Sequence, residues 1–152
     1  MKPATKDRVA RLVTAAHTGL YRLSGGRVAG RLAGMPVLLL TTRGRVTGMP
    51  RTVHLTYFAD GDDIVLVASY GGDDRDPGWY RNLRADDRVQ VLEGRNRRAM
   101  TARTATADER DRLWPGIVAT YPGYARYQSR TGRRIPLVVL SEASAGPQDG
   151  DG

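Results

Sequence analysis

The sequence predicts a mainly β domain with flanking helices (α+β), in which about six antiparallel strands close into a small barrel. Short apolar or β-branched runs recur from Val37 to Leu140 and are joined by brief turns, which favours antiparallel hairpins. Helical patterns are few and suffice to cover the openings of such a barrel. No internal repeat divides the 152 residues, which form one domain long enough to bury a core.

The first element runs from Lys6 to Leu23. Val9, Leu12, Val13, Ala16, Leu20 and Tyr21 recur there at the spacing of an amphipathic helix, with Arg8, Arg11 and Arg22 on other faces. Gly25, Gly26, Gly30 and Gly34 then break regularity, so residues 1–35 read as a basic helix and a Gly-rich connector. Val37 to Thr42 reads as the first strand and Arg51 to Ala59 as the second. Asp60-Gly61-Asp62-Asp63 turns the chain into a third strand, Ile64 to Tyr70. Gly71 to Arg75 is a loop. Asp76 before Pro77 supplies an N-cap and a proline at the first helical position, opening a short helix that ends near Ala85.

Arg88 to Glu93 and Arg97 to Thr104 form a strand pair around Gly94-Arg95-Asn96. Thr106 and Glu109 stand at capping-box spacing and open a helix through about Tyr121. Pro122-Gly123 interrupts it, a second helical piece follows, and Ile135 to Leu140 is the last strand. The barrel domain is expected over 36–140. The small, polar, acidic residues 141–152 read as a disordered tail.

Composition narrows the function classes. There is no cysteine, which excludes disulfides and thiolate metal sites, and His17 and His54 cannot build an ordinary metal site alone, so no metal is expected. No apolar run approaches the roughly 20 residues that span a bilayer, and the N-terminus lacks a signal peptide's apolar region, so a cytoplasmic protein is expected. The net charge is +8, and the first 35 residues hold seven cations against Asp7 alone. That basic helix is expected to pack over the barrel with its arginines in water; peripheral contact with an anionic membrane is the other reading. Charge alone suggests nucleic acid, but neither a helix-turn-helix nor an aromatic RNA-binding strand is present, so no nucleic-acid partner is expected.

Two segments carry chemistry. Gly44-Arg45-Val46-Thr47-Gly48-Met49-Pro50-Arg51 follows a buried strand, and a Gly-bracketed turn with Arg43, Arg45 and Arg51 can hold a phosphate or carboxylate. A solvated hairpin loop is the alternative. Asp76-Pro77-Gly78-Trp79-Tyr80-Arg81-Asn82-Leu83 offers a helix N-terminus, a flat indole and an amide, just after Gly71-Gly72. Its alternative is a short helix whose Trp79, Tyr80 and Leu83 are a buried stripe.

Together with Ala68-Ser69-Tyr70-Gly71-Gly72, Tyr121-Pro122-Gly123-Tyr124-Ala125-Arg126-Tyr127-Gln128 and Arg134-Ile135-Pro136, these segments resemble the deazaflavin (F420)-dependent nitroreductase family, which includes F420H2-dependent quinone reductases. The matches run in order from Pro36 to Leu140. The resemblance implies a split β-barrel, FMN-binding-like, that takes coenzyme F420 (FMN less so) and passes hydride to a quinone, enone or nitro compound. It implies a cofactor site of Arg45, Thr47, Arg51, Ser69, Tyr70, Gly71, Gly72, Pro77, Trp79 and Asn82. Tyr121, Tyr124, Tyr127 and Ser69 would be catalytic, and His54 and Thr56 would line the substrate pocket. Amphipathic packing is the alternative for the three tyrosines. Related split barrels often dimerise, so a homodimer is admissible beside the small-molecule substrate.

Two positions depart from the pattern. Val46 and Tyr70 stand where many relatives carry lysine, which removes two cations expected at an anionic tail. Each charge-assisted hydrogen bond lost costs about 1–3 kcal/mol. A split barrel that binds or transforms another ligand in the same groove is therefore the second reading.

Overall fold

The computed structural model describes residues 16, 18–26, 31–32 and 34–143. Within them helix α1 runs through 18–24, and the earlier part of the expected basic helix, with His17, lies outside the described residues. Eight strand segments follow: β1 (Arg31–Leu32), β2 (Met35–Arg43), β3 (Pro50–Thr56), β4 (Phe58–Asp60), β5 (Asp63–Val67), β6 (Arg88–Glu93), β7 (Asn96–Thr104) and β8 (Leu137–Glu142). Helices α2 (Gly78–Ala85), α3 (Ala107–Thr120) and α4 (Gly123–Ser129) lie between them. No described helix is long and apolar enough to cross a membrane.

All pairings are antiparallel, in the order β1-β2-β6-β7-β8-β5-β4, with β3 on the other side of β2. The chain joins β3 to β4 through Tyr57 alone, and Tyr57 N–H still bonds the Pro36 carbonyl at 3.2 Å. The bent β3–β4 segment therefore pairs with β2 at one end and β5 at the other, and the ring closes through the chain itself. Eight segments thus make six staves plus the short β1. The expected second strand, Arg51 to Ala59, is that bent stave.

Period-two alternation sets the layers. Leu38 and Leu40 of β2 face the barrel interior with Ile64, Leu66, Val89, Val91, Met100, Ala102, Val138 and Leu140. Burying each of the larger side chains is worth about 1.5–3 kcal/mol. Trp79, Tyr80 and Leu83 of α2 join that interior. On the other face, Val37 and Leu39 pack on Tyr21 of α1, whose hydroxyl accepts the Gly94 N–H at 2.6 Å. Val65, Val67 and Leu137 pack outward on Ile117 of α3 and Tyr124 of α4.

Several boundaries differ from expectation. The third strand stops at Val67, because Tyr70, Gly71 and Gly72 take left-handed φ values of 45°, 64° and 81° and form a 3-10 turn. Asp76 does not cap α2: Pro77 is the N-cap, with ψ 150° and no side-chain bond, and the Asp76 carboxylate is held by Arg133. The last strand begins at Leu137, since the Ile135 N–H is taken by the Gln128 side chain and Pro136 has no N–H to offer a ladder. It continues to Glu142, two residues into the segment read as a tail; residues 144–152 lie outside those described. The capping box at α3 is present, with the Glu109 N–H donating to Thr106 Oγ1 at 3.2 Å and the Thr106 N–H to Glu109 Oε1 at 3.0 Å.

Candidate active site

The arginine turn is built from its own backbone. Gly44 N–H donates to Met49 O at 2.8 Å, Gly48 N–H to Gly44 O at 2.8 Å, and Met49 N–H to Thr47 Oγ1 at 3.2 Å. Gly48, at φ +72°, supplies the left-handed step. Asn82 of α2 then fastens the turn to the barrel. Its Oδ1 accepts from Arg45 N at 3.2 Å and Arg45 Nη1 at 2.9 Å, while its Nδ2 donates to Thr42 Oγ1 at 3.2 Å. Asn82 and Thr42 are both buried. The amide is thus committed to holding Arg45.

Arg43, Arg45 and Arg51 form no ion pair among the described residues, whereas Arg75, Arg98, Arg103, Arg112, Arg133 and Arg134 all do. Three uncompensated guanidiniums at one turn suit an anionic ligand. Val46 projects from the tip, 86% exposed.

The second wall is the segment from Ala68 to Pro77. Ser69 is buried at 9% exposure. The Tyr70 ring lies 5.6 Å from the Arg75 guanidinium, which pairs with Asp73 at 3.2 Å. Gly72 is required by packing: a Cβ there would stand 2.7 Å from Tyr127 O. Gly71 has nothing within 4 Å of that position, so open space adjoins it. Trp79 keeps 8% of its surface and meets Tyr80 edge-on at 6.2 Å, so Trp79, Tyr80 and Leu83 are the buried stripe of α2.

Tyr121, Tyr124 and Tyr127 form one cluster, with centroids 5.2, 5.9 and 6.4 Å apart. Thr56 of β3 joins it through a 2.8 Å hydroxyl contact with Tyr124. Val53 and Leu55 pack on the barrel interior, so His54 and Thr56 alternate onto the outer side of β3. Burial raises the Tyr124 phenol above its ordinary range, against the opposing bond from Thr56. Tyr127 is raised first by its hydrogen bond with Tyr121 and then by burial. Both phenols therefore keep their protons at neutral pH and remain available as hydrogen-bond donors.

Sequence reasoning passed over Arg133, whose guanidinium bonds Ala68 O, Ser69 O, Asp73 O and Asp76. It stands one residue before the quoted Arg134-Ile135-Pro136, where only its fixed place relative to Ile135-Pro136 could have marked it. A surface cavity of about 310 Å³ lies elsewhere: Arg22, Thr41, Thr52, Gln90 and Arg97 line it on the outer sheet face, and none of the expected site residues does. Among the described residues no group of three His, Cys, Asp or Glu can hold a metal.

Comparison with known proteins bears on this arrangement. The family model described as F420H(2)-dependent quinone reductase matches residues 12–142. An F420H(2)-dependent quinone reductase of Mycobacterium tuberculosis (strain ATCC 25618 / H37Rv) is 45% identical over 129 residues, which is 82% of this chain and 87% of that protein. A solved F420-H2 dependent reductase, FDR-A, superposes with a TM-score of 0.64 at 37% identity, over 70% of this chain and 94% of its own. A solved domain-swapped dimer superposes with a TM-score of 0.66 at 32% identity, over 84% of this chain and 96% of its own.

Proposed function

The chain belongs to the F420H(2)-dependent quinone reductase family, and from that premise we propose that it reduces a quinone at the site between the arginine turn, the Ser69–Gly72 segment and the tyrosine cluster. The family match over residues 12–142 carries the activity. The donor set fits the cofactor: three guanidiniums without carboxylate partners among the described residues suit an anionic tail, and the space beside Gly71 lets backbone approach a ring.

When bound, reduced F420 supplies a hydride. Reduction of a quinone to a hydroquinone also requires one proton and, until it arrives, a place for negative charge on oxygen. Arg45, fixed by Asn82, and Arg51 hold the anionic tail, with Thr47 shaping the turn between them. Ser69, Tyr70, Gly71, Gly72 and Pro77 form the wall, and Trp79 backs it from the barrel interior. Tyr121, Tyr124 and Tyr127 orient the quinone oxygen and donate the proton, with Thr56 aligning Tyr124 and His54 further along the same strand. A homodimer is part of the proposal, since a solved relative forms a domain-swapped dimer; sedimentation of the full chain tests it.

The deciding experiment is a fluorescence titration of oxidised F420 at two salt concentrations, followed by quinone reduction with reduced F420. Salt-sensitive binding and turnover are expected. Absence of binding at high protein concentration would favour the second reading, a barrel refitted for another ligand, which Val46 and Tyr70 motivate.

A further inference from the structure

Arg133 lies in the connection between α4 and β8, yet its contacts are with a different part of the chain. Nε donates to Asp73 O at 2.9 Å. Nη2 donates to Ala68 O at 3.1 Å and to Ser69 O at 2.9 Å. Nη1 pairs with the Asp76 carboxylate at 3.2 Å. One side chain thus ties both ends of the segment that carries Ser69, Tyr70, Gly71 and Gly72. Only the planar fork of a guanidinium offers donors in several fixed directions at once; an ammonium is a point charge on a flexible stem.

Arg133 is itself held from the other side. Gln128, in the last turn of α4, donates through Nε2 to Arg133 O at 2.7 Å. Its Oε1 accepts from Ile135 N at 2.9 Å and from Arg110 Nη2 at 3.0 Å. The helix that carries Tyr124 and Tyr127 is therefore fastened, through Gln128 and Arg133, to the wall that carries Ser69. Direct packing of Gly72 on Tyr127 adds a second contact between the same two parts.

The wall needs such a fastening. Tyr70 is the one described non-glycine residue at positive φ, 45°, and the next two residues are left-handed as well. A non-glycine residue held there persists only when its surroundings over-determine it. The guanidinium takes the carbonyls immediately before this run and the carbonyl immediately after it, which fixes its direction of entry and exit.

We infer that Arg133 is a positioning residue of the reductase site, fixing the Ser69–Gly72 wall in register with the tyrosine helix without touching cofactor or quinone. This rests on the proposed function of that wall. The test compares Arg133→Ala, Arg133→Lys and the control Arg98→Ala in the full chain. Arg98 is also a partly buried, multiply bonded guanidinium, but it ties Glu93, Glu142 and Asp62 O.

Arg133→Ala is expected to raise the F420 dissociation constant about tenfold or more, by misplacing the wall. Millimolar guanidinium ion should recover part of that loss in Arg133→Ala and none in the wild type. Arg98→Ala should lower the melting temperature and leave the dissociation constant unchanged. Arg133→Lys, which keeps the charge and folds if Arg133→Ala does not, should fall between. Wild-type F420 affinity in both Arg133 variants overturns the inference. If the wild type binds no F420, the proposed function fails instead. Hydrogen exchange at Ser69 to Asp73 in Arg133→Lys then decides the positioning role: faster exchange supports it, unchanged exchange overturns it.

Discussion

Gly71 and Gly72 are adjacent, both left-handed, and differ in one respect, so alanine at each separates conformational cost from steric cost. At Gly71 (φ +64°) a Cβ meets nothing within 4 Å, and only the left-handed penalty applies. That penalty is about 1–2 kcal/mol, offset by roughly 0.4–1 kcal/mol from the stiffer unfolded chain, so the net loss is about 1 kcal/mol. At Gly72 (φ +81°) the Cβ would lie 2.7 Å from Tyr127 O, 3.0 Å from Tyr127 Cα and 3.1 Å from Arg130 Cβ. Two of those atoms are backbone, so α4 itself must shift, which adds an overpacking cost of about 1–3 kcal/mol. Gly72→Ala should therefore lose about 2–4 kcal/mol in all, lowering the melting temperature by about 5–15 °C against about 2–4 °C for Gly71→Ala. Thermal unfolding followed by circular dichroism, with urea titration as a check, measures both. Equal losses, or a milder effect at Gly72, would refute the packing of α4 on this wall.

Asn82→Ala removes three hydrogen bonds and frees Arg45, so F420 affinity should fall about tenfold and stability by about 2–3 kcal/mol, read by fluorescence titration and urea unfolding. Unchanged affinity would mean that Arg45 needs no fixing. Tyr124→Phe loses the Thr56 contact and a proton donor; stability should drop by about 1 kcal/mol and kcat should fall more than F420 affinity does. A variant with wild-type kcat would remove Tyr124 from proton delivery. The Glu109 carboxyl is held down from 4.5 to about 2, first by Arg103 and then by the Thr106 N–H. A depressed carboxyl contributes stability that is present above its unfolded value and lost as pH falls through the folded one. The stability gap between wild type and Glu109→Gln should therefore narrow as pH drops from above 4.5 to about 2, and a constant gap would contradict the capping-box ion pair.

Much of the architecture was legible because local physics dominated it. The apolar run from Val37 to Leu40, the turn at Asp60-Gly61 and the Thr106–Glu109 capping box each act within a few residues of themselves. The bend at Tyr57 was not legible, since it exists to let one stave serve both β2 and β5. Nor was the role of Asp76: its spacing before Pro77 is that of a cap, and a guanidinium fifty-seven residues away claims the carboxylate instead.

The candidate site divides in the same way. The types of residue needed, cations on a Gly-bracketed turn, small residues beside a short helix and phenols at helical spacing, are visible in the sequence because chemistry demands them wherever they lie. What each does with its hydrogen-bonding capacity is decided by neighbours far along the chain. Asn82 looked like an amide facing a ligand and instead secures Arg45 and Thr42; Trp79 belongs to the barrel interior; Arg133 became significant only when its four partners came into reach. The sequence by itself determined the strand and helix alphabet and the family to which the chain belongs. Closure of the barrel decided which donors meet which acceptors, because hydrogen bonds between distant segments depend on their positions in space and leave no periodic trace along the chain.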